Sequence, residues 1–239
     1  MIVRYASGSF DEKFSMVYFK MKHENCWSRI TEKYDISIHT LKLLPYKDKN
    51  AIYGIFEIRV NNKHNLKEFL RSLNKESTIK NVTSLNLSEL KRSVYIMDLY
   101  ENYDGMIQGK LNDYNSIFYF DIVKGGLEEK YAVLPSENVK ELKNDLQSLG
   151  DLYEFRAKYL KNFYDILAPY FTFSPIEMQI IVEAYNHGYY DIPRKTGIRE
   201  LADSFGLSKS TVQEYIRSAE AKALSSIKLF KLMDELKEG

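Results

Sequence analysis

Alternation of apolar and polar residues, the period of a half-buried strand, marks the first part of the chain. It predicts strands at residues 15–22, 37–45, 51–60 and 79–87. Apolar residues at helical spacing predict helices at 26–34 and 66–74. The polar run 46–50 separates the two middle strands and predicts a hairpin loop. This part therefore has the order strand, helix, two strands, helix, strand.

A second, looser copy of that order follows from Lys91 to about Asn162. The pattern predicts strands at 93–100, 117–123, 130–134 and 153–159, a turn at Gly125-Gly126 and a helix at 139–149. The first helix of this copy is unclear, because 104–112 holds two glycines. The order βαββαβ is that of a ferredoxin-like fold. We predict tandem ferredoxin-like units, about 14–88 and 91–162, whose two related sheets bury a core together.

Beyond Asn162 the pattern becomes helical. A linker helix is predicted at 163–167, stopped by Pro169. Ser174 is placed to cap the next helix and Pro175 to occupy its first turn, and this helix ends near His187-Gly188. Thr196 is the expected cap of a further helix from Gly197 to Phe205, with Glu200 as a capping-box partner if the register slips by one.

The stretch from Ile198 to Arg217 has the spacing of a helix-turn-helix. Ala202 is the small residue where two helices cross, Gly206 takes a left-handed turn, and Ser208 caps the second helix. Apolar residues that lock the second helix in place are Leu201, Phe205, Leu207, Val212 and Ile216. That second helix is expected from Lys209 as far as about Met233. The fold class is therefore α+β, with residues 1–162 a sensory or assembly domain and 163–239 a helix-turn-helix DNA-binding domain.

Two short motifs support a family resemblance. The connection GYYDIPR (188–194) and the turn GLSKST (206–211) are close to the patterns Gly-Tyr-Phe-x-x-Pro-Arg and Gly-x-Ser-x-Ser-Thr. With them, the portion from about Phe173 to Ile227 resembles the archaeal bacterio-opsin activator-type helix-turn-helix family. It departs from the family at 173–175 and at Gly197, which affects packing and capping more than groove contact. The resemblance implies a DNA-binding transcriptional regulator and says little about the first 162 residues.

Helical geometry selects the residues that face DNA. Because Val212 and Ile216 point inward, the side chains around them on the second helix point outward. Candidate residues at or near base edges and phosphates are Ser208, Lys209, Ser210, Thr211, Gln213, Glu214 and Arg217. Arg194, Lys195 and Arg199 are expected to clamp the DNA backbone.

Charge supports a dimer. The whole chain has 34 Lys+Arg and 33 Asp+Glu, a formal charge of +1, so any DNA-binding signal must be local. From Arg194 to Arg217 there are five basic and three acidic residues, a net charge of +2. This small excess predicts weak binding by one copy, so we expect a homodimer on paired half-sites. The competing interpretation is a trihelical protein-docking module with a solvated face.

Composition restricts the compartment and the chemistry. A single cysteine, Cys26, excludes an internal disulfide and fits a reducing cytoplasm. The N-terminus lacks a secretory signal, and no apolar run reaches the roughly 18 residues of a membrane span. His23 and Cys26 are spaced like two metal ligands, but no second cysteine exists and His39 and His64 lie in separate elements. We therefore predict no metal site.

Enzymatic signals are weak. Asp98, Glu101 and Asp104 have no histidine or lysine placed to assist them, so a solvated edge is the better interpretation. The run from Gly105 to Lys110 lacks the spacing and the hydroxyl residue of a phosphate loop. We predict no cofactor and no enzymatic activity.

Together these observations predict a sequence-specific transcriptional regulator, with double-stranded DNA as partner and a small-molecule effector left open. The alternative is a ligand-binding or enzymatic α+β protein whose C-terminal helices dock another protein.

Overall fold

The computed structural model describes residues 13–60, 62–91, 93–160, 173–224 and 227–238. The predicted linker helix at 163–167 and the N-terminal residues 1–12 lie outside them. The chain divides into two compact units, Met1–Lys161 with Leu236–Gly239, and Asn162–Glu235. The predicted second domain had included the last four residues, which the structure groups with the first unit.

The described residues of the first unit form a single antiparallel sheet of eight strands in the order β4-β5-β3-β2-β6-β7-β1-β8. Its strands are β1 (Phe14–His23), β2 (Ile36–Tyr46), β3 (Ala51–Val60), β4 (Ile79–Lys91), β5 (Val94–Asn102), β6 (Phe118–Lys124), β7 (Leu127–Pro135) and β8 (Gly150–Tyr159). Its main helices are a 3-10 helix (Trp27–Lys33), α1 (Lys63–Leu73), α2 (Ile107–Asp113) and α3 (Val139–Leu149). The glycine-containing segment of the second copy thus forms the helix α2, in which Gly109 lies against the backbone oxygen of Tyr103.

The order of elements repeats, but the prediction of two sheets is wrong. Strand β1 pairs with β7 and β8, whereas β5 pairs with β3 and β4. The first strand of each copy therefore lies among the strands of the other copy. For β5 the cause is the short link after Lys91, because Lys91 is already paired with Val94. Two strands joined by two residues must form a hairpin, and this places β5 beside β4. Two separate ferredoxin-like units are not confirmed.

Helices cover two apolar clusters of the first unit. Leu66, Phe69 and Leu73 of α1 are buried in one cluster, and Leu142 and Leu146 of α3 in the other. Each such side chain contributes about 1.5–3 kcal/mol when it is fully buried. The two parts of the sheet meet where β2 pairs with β6, at only two register positions, Ser37 with Lys124 and Ile38 with Val123.

One acidic residue lies at a core position of β5. Alternate residues of this strand are buried, among them Met97, Leu99 and Glu101. Glu101 is 0% exposed, so the solvated edge predicted for it is wrong. Its inward position follows from the two-residue period of the strand. Asp98 is half-buried and accepts a hydrogen bond from the Tyr53 hydroxyl, and Asp104 is exposed.

The second unit is helical. It contains α4 (Pro175–Asn186), α5 (Ile198–Phe205) and α6 (Lys209–Leu224), and α7 (Ile227–Glu238) starts within it. The helix expected from Lys209 to about Met233 is helical wherever the structure describes it, in α6 and in α7, and residues 225 and 226 lie outside the described part. None of the helices in the described part of the chain combines the length and the apolarity that crossing a bilayer requires.

Candidate nucleic-acid interface

Three helices of the second unit enclose a small apolar core. Its buried residues are Ile180, Ala184, Leu201, Ala202, Val212 and Ile216. Ala202 is 1% exposed and Val212 0% exposed, in agreement with the predicted crossing point and anchor. Phe205 and Leu207 pack against this core while half-buried. Leucine or valine at the position of Ala202 would separate α5 from α6, so the small residue determines how closely the two helices approach.

The turn between α5 and α6 has the predicted conformation. Gly206 adopts a left-handed backbone with φ of 62°, and the Leu207 amide donates to the Ala202 carbonyl oxygen at 3.0 Å. This bond satisfies a carbonyl at the end of α5. The Thr211 amide then donates to Ser208 Oγ at 3.1 Å, which confirms Ser208 as the cap of α6. Turn and cap together fix where the second helix starts.

The start of α5 differs by one residue from the first expectation. The N-cap is Gly197, whose amide donates to Glu200 Oε2 at 2.5 Å. Thr196 does not cap the helix, and its hydroxyl donates to the same carboxylate oxygen at 3.0 Å. These bonds lower the pKa of Glu200, the Gly197 amide contributing most. Glycine can serve as an N-cap without a side chain because Glu200 supplies the capping oxygen.

A partly buried ion pair links α4 to α6. Ser174 and Glu177 form the capping box at the start of α4, and Lys222 Nζ lies 2.7 Å from Glu177 Oε2. Ser218 donates to the other carboxylate oxygen at 2.6 Å. The hydrogen bond from Lys222 is the main reason that the pKa of Glu177 falls to about 2, and Ser218 and Ser174 add to it. The Ser-x-x-Glu spacing could have predicted the box, but the pairing across two helices depends on tertiary structure.

The predicted contact face of α6 is accessible. Lys209, Ser210, Gln213, Glu214 and Arg217 are exposed, and Thr211 is half-buried. Within the described residues, Lys209 and Arg217 have no ion-pair partner, so their charges are available to a ligand. At the leading end, Ser208 Oγ lies 2.8 Å from both the Ser210 and the Thr211 hydroxyl oxygens. The helix therefore begins with three clustered hydroxyl groups beside its positive dipole end.

The three predicted clamp residues have different surroundings. Arg199 is exposed on α5. The Arg194 guanidinium stacks on the Tyr189 ring, 4.3 Å from its centroid. Lys195 Nζ lies 2.7 Å from Asp191 Oδ2, and this bond raises the pKa of Lys195. Sequence reasoning missed the roles of Tyr189 and Asp191, because a spacing of four residues indicates such a pair only within a helix and residues 191–195 are not helical.

Comparison with known proteins identifies this region. Residues 173–225 match the family model described as HTH DNA binding domain. A curated relative, the dimethyl sulfoxide reductase transcriptional activator of Haloferax volcanii, is 39% identical over 44 residues, which is 18% of this chain and 21% of that protein. The chain thus matches about a fifth of the length of that relative. No solved structure matches the chain. The C-terminal region carries a helix-turn-helix DNA-binding domain of the bacterio-opsin activator type.

Proposed function

We propose that this chain is a sequence-specific DNA-binding transcriptional regulator that inserts α6 into the major groove. The observation that carries the proposal is the exposed polar face of α6, held on a buried three-helix frame inside the segment that matches a DNA-binding family. The curated relative is named a transcriptional activator, which supports a regulatory role in the same class.

Each exposed side chain has a chemical task in this proposal. Gln213 is suited to the two polar groups that adenine shows in the major groove, and Arg217 to guanine or phosphate. Ser208, Ser210 and Thr211 suit phosphate oxygens at the positive end of the helix. Lys209 adds charge beside them, and Glu214 is an acceptor that fits the cytosine amino group.

Arg194, Lys195 and Arg199 are proposed to hold the DNA backbone. Arg199 is available as it stands, and Arg194 is oriented by the Tyr189 ring. Lys195 must exchange its bond with Asp191 for a phosphate when DNA binds. These contacts position the protein without reading sequence.

We also propose a homodimer acting in the cytoplasm, where its DNA would be. A net charge of +2 over 194–217 gives one copy few phosphate contacts, and two copies on adjacent half-sites double them. Molar mass in solution, with footprinting of the bound DNA, tests this. Two protected half-sites about one helical turn apart are expected, and a monomer protecting a single half-site contradicts the dimer.

Effector control by the first unit is a further part of the proposal. A cavity of about 170 Å³ lies near the divergence of β2 and β6 and is lined by Leu43, Ile52, Gln108 and Tyr119 among others. Gln108 Oε1 is buried there without a hydrogen-bond partner in the described part of the chain. A thermal-shift screen with amino acids and other small metabolites tests it. If none of these compounds changes the unfolding temperature, the first unit serves only to assemble the protein.

The central test is selection of bound sequences from random DNA, followed by binding to genomic fragments at moderate salt. Gln213→Ala and Arg217→Ala are expected to lose site preference while remaining folded. Arg71→Ala, an exposed arginine of the first unit, is the matched control and should bind as the wild type does. Unchanged retention of DNA by both α6 variants would favour the competing interpretation, a protein-docking module.

A further inference from the structure

Three metal-ligand atoms converge inside the first unit. His23 ends β1, Cys26 caps the 3-10 helix, and Glu128 lies on β7. Their donor atoms all lie within 4.8 Å of one another. His23 Nδ1 is 3.4 Å from Glu128 Oε1, and Cys26 Sγ is 3.5 Å from the same oxygen. All three residues are at most 4% exposed.

His23 and Glu128 each have a second polar atom, and in both residues this atom already contacts another group of the protein. His23 Nε2 lies 2.9 Å from the Gly105 carbonyl oxygen. A carbonyl only accepts, so Nε2 carries the proton, and Nδ1 of a neutral ring carries a lone pair. Glu128 Oε2 lies 3.1 Å from Lys130 Nζ, which is also 2.6 Å from Asp121 Oδ2. Outer contacts of this kind orient metal-binding histidines and carboxylates.

Glu128 Oε1 accepts the Cys26 thiol proton, but Oε1 and His23 Nδ1 face each other at 3.4 Å without a shared proton. His23 Nδ1 has no hydrogen-bond partner in the part of the chain that the structure describes. Two lone-pair atoms at 3.4 Å repel each other, and a buried polar atom without a partner destabilises the fold because it has lost its hydrogen bonds to water. A cation between Nδ1, Oε1 and Sγ would relieve both problems.

The charges favour a divalent ion. Glu128 Oε2 lies 3.1 Å from the Lys130 ammonium, which favours the carboxylate form of this ligand. The Cys26 thiol donates to Glu128 Oε1 at 3.5 Å, and a bound metal would displace that proton to solvent. The positive charge of Lys130 and the negative charge of Asp121 cancel each other. A thiolate at Cys26 and a carboxylate at Glu128 then balance two positive charges.

We propose that His23, Cys26 and Glu128 bind a divalent transition metal of the zinc class. Tetrahedral zinc with bonds of 2.0–2.3 Å separates its donor atoms by roughly 3.3–3.8 Å, which includes the two distances to Glu128 Oε1. A mixed set of nitrogen, sulfur and oxygen ligands is typical of zinc. A surface cavity of about 260 Å³ is lined by Cys26, Asn25 and Arg29, and with three protein ligands the fourth position of a tetrahedral ion would be left to solvent.

The metal would join elements that sequence order separates. His23 belongs to β1, the strand of the first sequence copy that lies among strands of the second copy, and Glu128 belongs to the neighbouring strand β7. Binding at these positions would fasten β1 and the 3-10 helix to β7. The site is distinct from DNA contact and gives the first unit a structural role of its own.

Cobalt(II) titration of the full chain tests the proposal. After treatment with a chelator, the protein is expected to take up one cobalt per chain, with a thiolate-to-cobalt charge-transfer band and visible bands typical of tetrahedral coordination. Because Cys26 is the only cysteine of the sequence, that band identifies the site even without a variant. Zinc should abolish the bands by displacement and raise the unfolding temperature.

Variants provide the control. Cys26→Ser should lose the charge-transfer band and the zinc-dependent rise in unfolding temperature, and His23→Gln should lose at least tenfold in cobalt affinity. His64→Gln, at an exposed position, should behave as the wild type does. A folded wild-type chain that takes up no cobalt, or that binds it without a thiolate band, overturns the proposal and leaves these residues as a polar core.

Discussion

Trp27 Nε1 donates a 2.6 Å hydrogen bond to Glu101 Oε2, and both side chains are buried. The other oxygen, Oε1, has no hydrogen-bond partner among the residues that the structure describes. Burial raises the pKa of Glu101 from 4.5 to about 8, although the Trp27 bond opposes the rise. The carboxyl is therefore mostly protonated at neutral pH, while it is ionised in the unfolded chain.

This difference predicts a pH-dependent effect of Glu101→Gln. The folded pKa is raised, so the stability present below the unfolded pKa of 4.5 is lost as the pH rises towards about 8. Glutamine keeps the acceptor for Trp27 and has no proton to release. Across this pH window the free energy of unfolding of the variant should increase relative to that of the wild type, by at most about 1.4 kcal/mol per pH unit.

Denaturant unfolding at a series of pH values measures the gain. Glu137→Gln, at an exposed position of the same unit, is the control and should follow the wild-type curve. Parallel curves for Glu101→Gln and the wild type would mean that Glu101 is ionised in both states.

The order of elements in the first unit could be predicted from sequence, because strands and helices have distinct hydrophobic periods. The partners of the strands could not. Strand β1 pairs with β7 across more than a hundred residues, and no local pattern specifies that pairing. The one accessible signal was the two-residue link after Lys91, which requires a hairpin between β4 and β5.

The DNA-binding candidate was easier to predict, because its determinants are local. Gly206, Ser208 and Val212 act within one turn and one helix, and the structure gives each its predicted place. The pair of Glu177 with Lys222 joins residues 45 positions apart, so spacing along the chain does not indicate it. The same is true of Glu128, which meets His23 only after the sheet has formed.

Gly206→Ala should destabilise the helix-turn-helix through the backbone alone. A Cβ at this position meets no atom within 4 Å, so the cost arises from the left-handed conformation and is about 1–2 kcal/mol. Gly206→Asn should cost less, because asparagine tolerates this region better. Hydrogen exchange of the α5 and α6 amides in the full chain compares the two variants. Equal protection of these amides in Gly206→Ala and the wild type would show that the left-handed conformation does not strain the alanine variant.

Glu177→Gln should loosen α4 from α6 in a pH-dependent way. The pKa of Glu177 is lowered to about 2, so its contribution is present above the unfolded value of 4.5 and is lost as the pH falls towards about 2. Faster hydrogen exchange of the α4 amides is expected near pH 7. Glu183→Gln, at a half-buried position of the same helix where the carboxylate faces His187 and not α6, is the control. A loss of protection equal in both variants would assign no special role to the pair with Lys222.

Asp191→Asn should strengthen binding to DNA of any sequence. Asp191 holds Lys195 at 2.7 Å in the free protein, and its negative charge lies next to the proposed phosphate contacts. Its removal frees the lysine and reduces repulsion, so the dissociation constant should fall for specific and random DNA alike. Arg194→Ala should do the opposite and flatten the dependence of log affinity on log salt by about 0.9 for one lost phosphate contact. Fluorescence anisotropy over a series of salt concentrations measures both slopes. Glu183→Gln removes a similar charge from α4 and is the control for net charge, so an equal gain in affinity from Asp191→Asn and Glu183→Gln would show that Lys195 does not contact the phosphates.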